Sequence, residues 1–97
     1  MKPEEARALL QADKDDPIVN EEPNQIRKGL EILEKYCDSR GVCFEIGHGV
    51  IWAYPYKYYH CSFDELLEEM TEEDIKRLIA LGWHEDDESP GWENGFK

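Results

Sequence analysis

Basic residues are scarce in this chain of 97 residues. It has 11 Lys and Arg against 23 Asp and Glu, and its formal net charge is −12. Proteins that bind nucleic acid or anionic membranes neutralise phosphate groups with Lys and Arg. The composition therefore disfavours direct binding to nucleic acid and to anionic membranes, and it makes a protein with a basic surface the natural partner.

Long apolar runs and paired cysteines are also missing. No stretch approaches the ~20 apolar residues of a membrane-spanning helix, and the first residues show no signal-peptide pattern. The three cysteines are an odd number without paired spacing, which fits a reducing compartment better than a disulfide scaffold. We therefore expect a cytoplasmic chain of one domain with a modest core.

Motifs of the common enzyme classes are absent too. There is no Gly-rich phosphate loop, no nucleophile elbow and no pair of carboxylates with catalytic spacing. Zinc-binding residue types occur, but no C-x-x-C pair does. We therefore predict no enzymatic activity, no metal and no cofactor. One alternative stays open, a small Cys/His-dependent enzyme or metal-binding domain that uses Cys43, His48, His60 or Cys61.

Apolar residues are densest over residues 42–54, where the pattern predicts a β-hairpin. Val42, Phe44 and Ile46 alternate with Cys43 and Glu45, as in a half-buried strand. The second strand is apolar on both faces, and a turn flanked by two glycines separates the strands. We therefore expect the core to be built on this hairpin.

The chain before the hairpin predicts two helices. Residues 1–22 form a short helix, over Lys2 to Gln11, and a polar linker, which we expect to be loosely attached. Residues 23–97 form a single α+β domain. Its first helix runs to about Asp38, because apolar residues recur along it at helical spacing: Ile26, Leu30, Leu33 and Cys37.

Two helices also follow the hairpin. Ser62 and Glu65 form a capping box, and Thr71 with Asp74 has the same form. The apolar stripe after Thr71 is rotated by roughly 120° from the stripe that starts at Phe63. Because one straight helix cannot bury both stripes, we expect a break at residues 70–71.

A second hairpin ends the chain. The helix closes with Leu81-Gly82-Trp83, and an acidic turn separates Trp83 to Glu85 from Trp92 to Phe96. The predicted fold class is α+β, with an antiparallel sheet of about four strands in two hairpins and two to three helices packed on one face.

This C-terminal pattern resembles one found in small uncharacterised acidic proteins of phages and mobile elements. The residues concerned are Leu81-Gly82-Trp83, followed by an acidic turn and then Trp92 and Phe96, over roughly the last third of the chain. The pattern is structural rather than chemical. The resemblance implies a small accessory protein that acts by binding a host protein.

Two groups of residues are candidates for binding a partner. Tyr56, Tyr58 and Tyr59 belong to an aromatic concentration too large for one strand face to bury, and exposed tyrosine is a favoured interface residue. The second group is acidic, and it is as typical of a solvated helix side as of a contact for a basic groove: Glu65, Glu68, Glu69, Glu72 and Glu73.

We therefore hypothesise a non-enzymatic acidic protein-binding module, in its sharpest form an inhibitor that mimics DNA on a basic, nucleic-acid-binding partner. A self-associating structural protein, with a homodimer formed through exposed aromatic residues, is a further alternative.

Overall fold

A computed structural model describes residues 1–15, 25–85 and 91–95. It confirms the α+β class, with four α-helices and four antiparallel strands in these ranges. The elements are α1 (Pro3–Asp15), α2 (Gln25–Glu34), β1 (Val42–Gly47), β2 (Val50–Pro55), a 3-10 turn (Tyr56–Tyr58), α3 (Phe63–Glu69), α4 (Glu72–Ala80), β3 (His84–Glu85) and β4 (Trp92–Gly95).

The two hairpins lie side by side in one sheet. The strand order is β1-β2-β4-β3, so β2 and β4 are central and β1 and β3 form the edges. Ala53 lies opposite Trp92, and Ile51 lies opposite Asn94. All four of these residues are buried, because they face the helices. The other sheet face, with Trp52, is only half buried, and we call it the open face.

The sequence pattern predicted a core built on the first hairpin, and strand β2 of this hairpin, with Ile51 and Ala53, does lie in the core, whereas most of β1 does not. Phe44 and Ile46 of β1 are 53% and 62% exposed. Cross-strand pairing places them on the same face as Ala53 and Ile51, so they point toward the helix layer. Because β1 is the outermost strand, the helices do not reach them. Of the β1 residues on this face, Val42 is the one that packs against the core.

The core is made by the helices, by strand β2 and by two tryptophans at the second hairpin. Trp83 and Trp92 are fully buried. Around them lie apolar residues of all four helices, among them Leu10, Leu33, Leu66 and Leu78. Burying large aromatic side chains contributes much of the stability of a domain this small.

The break between the third and fourth helices is confirmed. Helix α3 ends at Glu69, and Met70 is extended at ψ 145°. Thr71 is the N-cap of α4, and its hydroxyl accepts a hydrogen bond from the Asp74 amide at 3.2 Å. The predicted capping box of Ser62 and Glu65 is complete, with both reciprocal hydrogen bonds.

Helix α1, for which the sequence favoured loose attachment, contributes to the core. Ala6 and Leu10 are buried. Arg7 bridges Asp64 of α3 at 2.7 Å and Glu85 of β3 at 2.9 Å. The predicted linker from residue 16, the start of the second helix before Gln25, and the acidic turn over 86–90 lie outside the described residues.

Trp83 lies directly against the backbone of α2. A Cβ atom added to Gly29 would come within 2.1 Å of the Trp83 Nε1 atom and 2.4 Å of Cε2. The same Nε1–H donates to the Gln25 carbonyl at 3.2 Å. Glycine in mid-helix costs about 1 kcal/mol relative to alanine, and here it makes room for the indole ring.

We expect Gly29→Ala to destabilise the fold by about 2 kcal/mol, because overpacking against a rigid ring outweighs the gain in helix propensity. Denaturant unfolding measures this change. Trp83→Leu removes the clashing ring atoms, so the Gly29→Ala/Trp83→Leu double variant should lose less stability than the two single variants together. A Gly29→Ala variant as stable as the parent would contradict this packing.

A buried polar cluster joins the end of α2 to the start of α4. The Tyr36 hydroxyl donates to Asp74 Oδ2 and accepts from the Thr71 amide at 3.2 Å. Lys35 Nζ donates to the other Asp74 oxygen at 3.0 Å. Asp74 therefore does not complete a reciprocal capping box, because its carboxylate is engaged by two residues that follow α2.

The hydrogen bonds of this cluster favour the charged form of Asp74. Burial alone raises the pKa of Asp74, but hydrogen bonds from Tyr36 and Lys35 oppose it, so the pKa lies below its ordinary value. The ionised carboxylate therefore stabilises the fold above the unfolded pKa of about 3.9. This contribution is lost as the pH falls through the lower pKa of the folded state.

We expect Tyr36→Phe to cost about 1–3 kcal/mol at neutral pH, since it leaves a buried carboxylate oxygen and the Thr71 amide without a partner. The difference from the parent should shrink as the pH falls below 4 and Asp74 becomes protonated. Urea unfolding at a series of pH values tests both statements. Tyr56→Phe, which removes an exposed hydroxyl, is the matched control; an equal effect of both substitutions would contradict the assignment.

Candidate partner-binding surface

An aromatic cluster forms where β2 leaves the sheet. It consists of Tyr54, Tyr56, Tyr59 and His60. Tyr59 stacks on Tyr54 with ring centroids 6.4 Å apart and on Tyr56 at 5.6 Å, and its centroid lies 3.9 Å from that of His60. Tyr56 is 37% and Tyr59 51% exposed. The cluster therefore presents a rigid aromatic surface to solvent.

The local backbone explains how these four rings, spread over residues 54–60, come together. Pro55 has φ −63° and ends the strand, and the 3-10 turn then reverses the chain. The Tyr59 amide donates to the Tyr56 carbonyl at 2.9 Å. His60 has φ +68°, a left-handed conformation that redirects the chain toward α3. Tyr59 is thereby folded back over the Tyr54 side chain on the open face.

Arg40 extends the aromatic cluster with a positive charge. Its guanidinium carbon lies 4.9 Å from the Tyr56 ring centroid, within the range of a cation–π contact. Asp38 holds the guanidinium at 2.6 Å and also accepts from the Arg40 amide at 2.9 Å. This positioning was not predicted from the sequence.

Tyr58 behaves differently from the other two predicted tyrosines. It is half buried and packs against the core. Lys57 Nζ lies 5.3 Å from its ring centroid and pairs with Glu69 of α3 at 2.9 Å. Tyr58 therefore attaches the segment to the core, and Tyr56 and Tyr59 remain as the exposed members. The Lys57–Glu69 pair links the aromatic cluster to the acidic helices.

The five predicted acidic residues are all exposed on α3 and α4, but three of them have local partners. Glu65 accepts from the Ser62 amide in the capping box at 2.9 Å. Glu69 pairs with Lys57, and Glu72 pairs with Lys76 at 3.0 Å. Within residues 1–15, 25–85 and 91–95, neither Glu68 nor Glu73 has a side-chain ion pair. We call Glu65, Glu68, Glu69, Glu72 and Glu73 the acidic helix face.

A polar row crosses the open face of the sheet. Glu93 accepts from Trp52 Nε1 at 2.8 Å and contacts His84 Nε2 at 2.7 Å. Glu45 lies opposite Trp52 on the edge strand. This row was not predicted from the sequence. It depends on the pairing of β2 with β4, and the local pattern of residues does not indicate which strands pair.

Two of the half-buried thiols, those of Cys37 and Cys61, have a raised pKa. Burial, together with Glu34 and Asp38, raises the pKa of Cys37. Burial and Glu65 likewise raise the pKa of Cys61. Burial and the hydrogen-bonded Cys43 thiol also raise the pKa of Tyr54, its cross-strand neighbour. A reactive cysteine requires a lowered pKa.

The structure does not bring the proposed zinc-binding residue types together. Among residues 1–15, 25–85 and 91–95, no group of three His, Cys, Asp or Glu side chains has an arrangement that could hold a metal ion. His48 is exposed in the hairpin turn with φ +52°, and His60 belongs to the aromatic cluster.

We expect Cys37 and Cys61 to react with iodoacetamide at pH 7 more slowly in the folded chain than in the chain unfolded by urea. Only the thiolate attacks the reagent, and a raised pKa leaves less of it. Peptide-resolved mass spectrometry measures each rate, and the unfolded chain is the control for the same two residues. Faster alkylation of Cys61 in the folded state would favour the Cys/His-dependent alternative, and faster alkylation of Cys37 would contradict its raised pKa.

Comparisons with known proteins identify no relative. No protein-family model matches the chain, and neither curated proteins nor solved structures gave a match. The resemblance to small proteins of phages and mobile elements therefore stays a prediction. In the part of the chain that the structure describes, no helix combines the length and apolarity needed to cross a membrane.

Proposed function

We propose that this chain is a non-enzymatic, acidic protein-binding module that docks on a basic surface of another protein. The observation that carries the proposal is the exposure of the Glu68 and Glu73 carboxylates, which form no ion pair in the described part of the chain; the N-terminal ammonium of Met1 reaches only the backbone carbonyl of Glu68, at 3.0 Å. Residues 63–80 contain seven acidic and two basic residues, so these two carboxylates lie in a strongly negative field.

The ion pairs of the acidic helix face determine which carboxylates are available to a partner. Glu69 and Glu72 already interact with lysines of the same chain. Glu65 is engaged in the capping box of α3. Exchanging any of these for a partner contact costs an existing interaction. Glu68 and Glu73 carry no such cost, and they are the residues through which charge attraction to a basic groove acts most directly.

The aromatic cluster supplies the second half of the proposed contact. Tyr56 and Tyr59 offer large, rigid rings that lose little conformational entropy on binding. They are preordered by stacking and by Arg40 before any partner arrives. Charge steering thus accelerates encounter, and desolvation of the rings slows dissociation.

The sharpest form of the proposal is an inhibitor that occupies a groove which otherwise binds nucleic acid. Carboxylates on two successive helices, α3 and α4, would then take the place of phosphates. A partner with such a groove should be released from this chain by duplex DNA, whereas a partner with another kind of basic surface should not.

We expect Glu68→Gln/Glu73→Gln to fold as stably as the parent and to associate with its partner about tenfold more slowly at low salt. The partner is first captured from a lysate of the source cells and identified by mass spectrometry. Association and dissociation rates are then measured over a salt series. The parent's association rate should fall steeply as salt rises, because screening acts over a Debye length of about 8–10 Å.

The matched control is Glu31→Gln/Glu34→Gln, which removes the same charge from the exposed side of α2. If the position of the charges matters, this control should leave the association rate nearly unchanged. If only net charge matters, it should slow association as much as Glu68→Gln/Glu73→Gln does. The proposal would be overturned if association did not depend on salt, or if no captured partner associated at different rates with the two double variants.

Tyr59→Ser tests the aromatic contribution in the same experiment. It should leave the association rate unchanged and increase the dissociation rate, since the ring contact is made after encounter. Tyr58 is not suitable for this test, because it packs against the core and its substitution would destabilise the fold.

A further inference from the structure

The outermost strand β1 has an apolar side that no part of the described structure covers. Phe44 and Ile46 are more than half exposed, and their neighbour Val42 is half buried. They lie on the helix side of the sheet, beyond the reach of α2. An apolar strand of six residues at a sheet edge is a template for pairing with another strand.

The hydrogen-bond register shows which backbone groups of β1 are free. The Gly41 carbonyl accepts from the Tyr56 amide at 3.0 Å, so this pair is hydrogen-bonded. Hydrogen-bonded and non-hydrogen-bonded pairs alternate along an antiparallel ladder. Cys43, Glu45 and Gly47 therefore direct their backbone groups to β2. The amides and carbonyls at positions 42, 44 and 46 point to the free edge.

Within residues 25–85 and 91–95, the other sheet edge does not offer a comparable surface. Strand β3 has two residues, His84 and Glu85. The Glu85 carboxylate is held by Arg7 of α1, and the His84 ring by Glu93. A short, charged edge is one of the ways in which proteins prevent strand addition. Of the edge residues that the structure describes, those of β1 are therefore the ones suited to strand pairing.

Charge at this edge favours a second copy of the chain over a basic partner. Residues 39–61 carry two formal cations, Arg40 and Lys57, and a single carboxylate, Glu45. In a chain of net charge −12, this is a region that another copy can approach without strong repulsion. A basic surface would instead be drawn to the acidic helix face.

The strand is also complementary to itself. Antiparallel pairing with a two-fold axis at Phe44 places Phe44 opposite Phe44 of the second copy and Val42 opposite Ile46 of the second copy. These are the residues whose backbone groups are free. Glu45 then lies opposite Cys43 of the second copy, so no like charges meet. Pairing centred on Glu45 would instead oppose two carboxylates.

We propose that β1 pairs antiparallel with β1 of a second copy, centred on Phe44, to form a homodimer with one continuous eight-stranded sheet. This interface is distinct from the acidic helix face and does not depend on the proposed function. The dimer would leave Glu68, Glu73 and the aromatic cluster outside the strand contact. Each dimer would therefore present two copies of the proposed partner-binding surface.

Salt distinguishes this interface from the proposed partner contact. The dimer forms by apolar contact and backbone hydrogen bonds between two chains of like net charge, so screening should strengthen it. Binding of the acidic helix face to a basic partner should weaken with salt. The failure of one proposal therefore leaves the other measurable.

Sedimentation velocity of the whole chain, from about 1 μM to about 1 mM and at low and high salt, tests the proposal over the range of small interfaces. The parent should change from monomer to dimer with concentration, at lower concentration in high salt. Phe44→Lys should raise the dissociation constant by about 100-fold, since two-fold symmetry places two lysines opposite each other. Tyr59→Lys is the control, since Tyr59 is as exposed as Phe44 but stacks on Tyr54, on the opposite face of the sheet from Phe44.

Amide hydrogen exchange gives an independent readout of the register. In the dimer, the amides at positions 44 and 46 should become protected, whereas those at 43 and 45 should be protected at every concentration. A parent that stays monomeric up to ~1 mM, or a dimer that survives Phe44→Lys, would overturn the proposal. A dimer lost in Tyr59→Lys instead would assign self-association to the aromatic cluster.

Discussion

The contact of the Trp83 indole with the backbone of α2 holds the two halves of this fold together. Trp83 follows α4 through the left-handed Gly82, at φ +88°, and its ring fills the space left by Gly29. Buried Asn94 completes the junction by donating to the Leu81 carbonyl and accepting from Gln25. One apolar ring and its surrounding hydrogen bonds thus set the position of α2, the end of α4 and the second hairpin.

The helices that carry negative charge are fixed by a separate set of interactions. Tyr36, Lys35 and Asp74 join the end of α2 to the N-terminus of α4. The turn at residues 70–71 sets α3 and α4 in different directions. Arg7 of α1 pairs with Asp64 of α3 and with Glu85 of β3, and it thereby holds α3 in place. The charge pattern is therefore displayed on a rigid support, so that binding to a partner requires little ordering of these helices.

The two proposed interactions use different chemistry on different parts of the molecule. The acidic helix face and the aromatic cluster combine carboxylates with stacked tyrosines, a surface suited to a basic partner. The edge strand β1 offers backbone groups and apolar side chains in a region of low net charge, which is suited to another copy of the chain. A dimer that displays two acidic surfaces would gain avidity toward a partner with repeated basic sites.

The sequence by itself determined the local elements and their ends. These elements depend on interactions between residues close together in the sequence. Examples are the capping residues Ser62 and Thr71, the rotated apolar stripes and the glycines of the first hairpin. They predicted the two hairpins, the helix break and the α+β class, all of which the structure has. That some of Tyr56, Tyr58 and Tyr59 are exposed also followed from sequence, since one short strand cannot bury so many aromatic residues; that Tyr58 is the one packed against the core did not.

Only the tertiary structure decided which apolar residues are buried and which charges are paired. Phe44 and Ala53 share one face of the first hairpin, yet only Ala53 is buried, because strand order places β1 at the edge. Glu69 pairs with Lys57, whereas the Glu68 carboxylate has no ion pair in the described part of the chain. This difference also depends on the packing of segments that are separated in the sequence. Strand order and helix packing depend on contacts between residues far apart in the chain, and the periodicity of a local pattern carries no record of them.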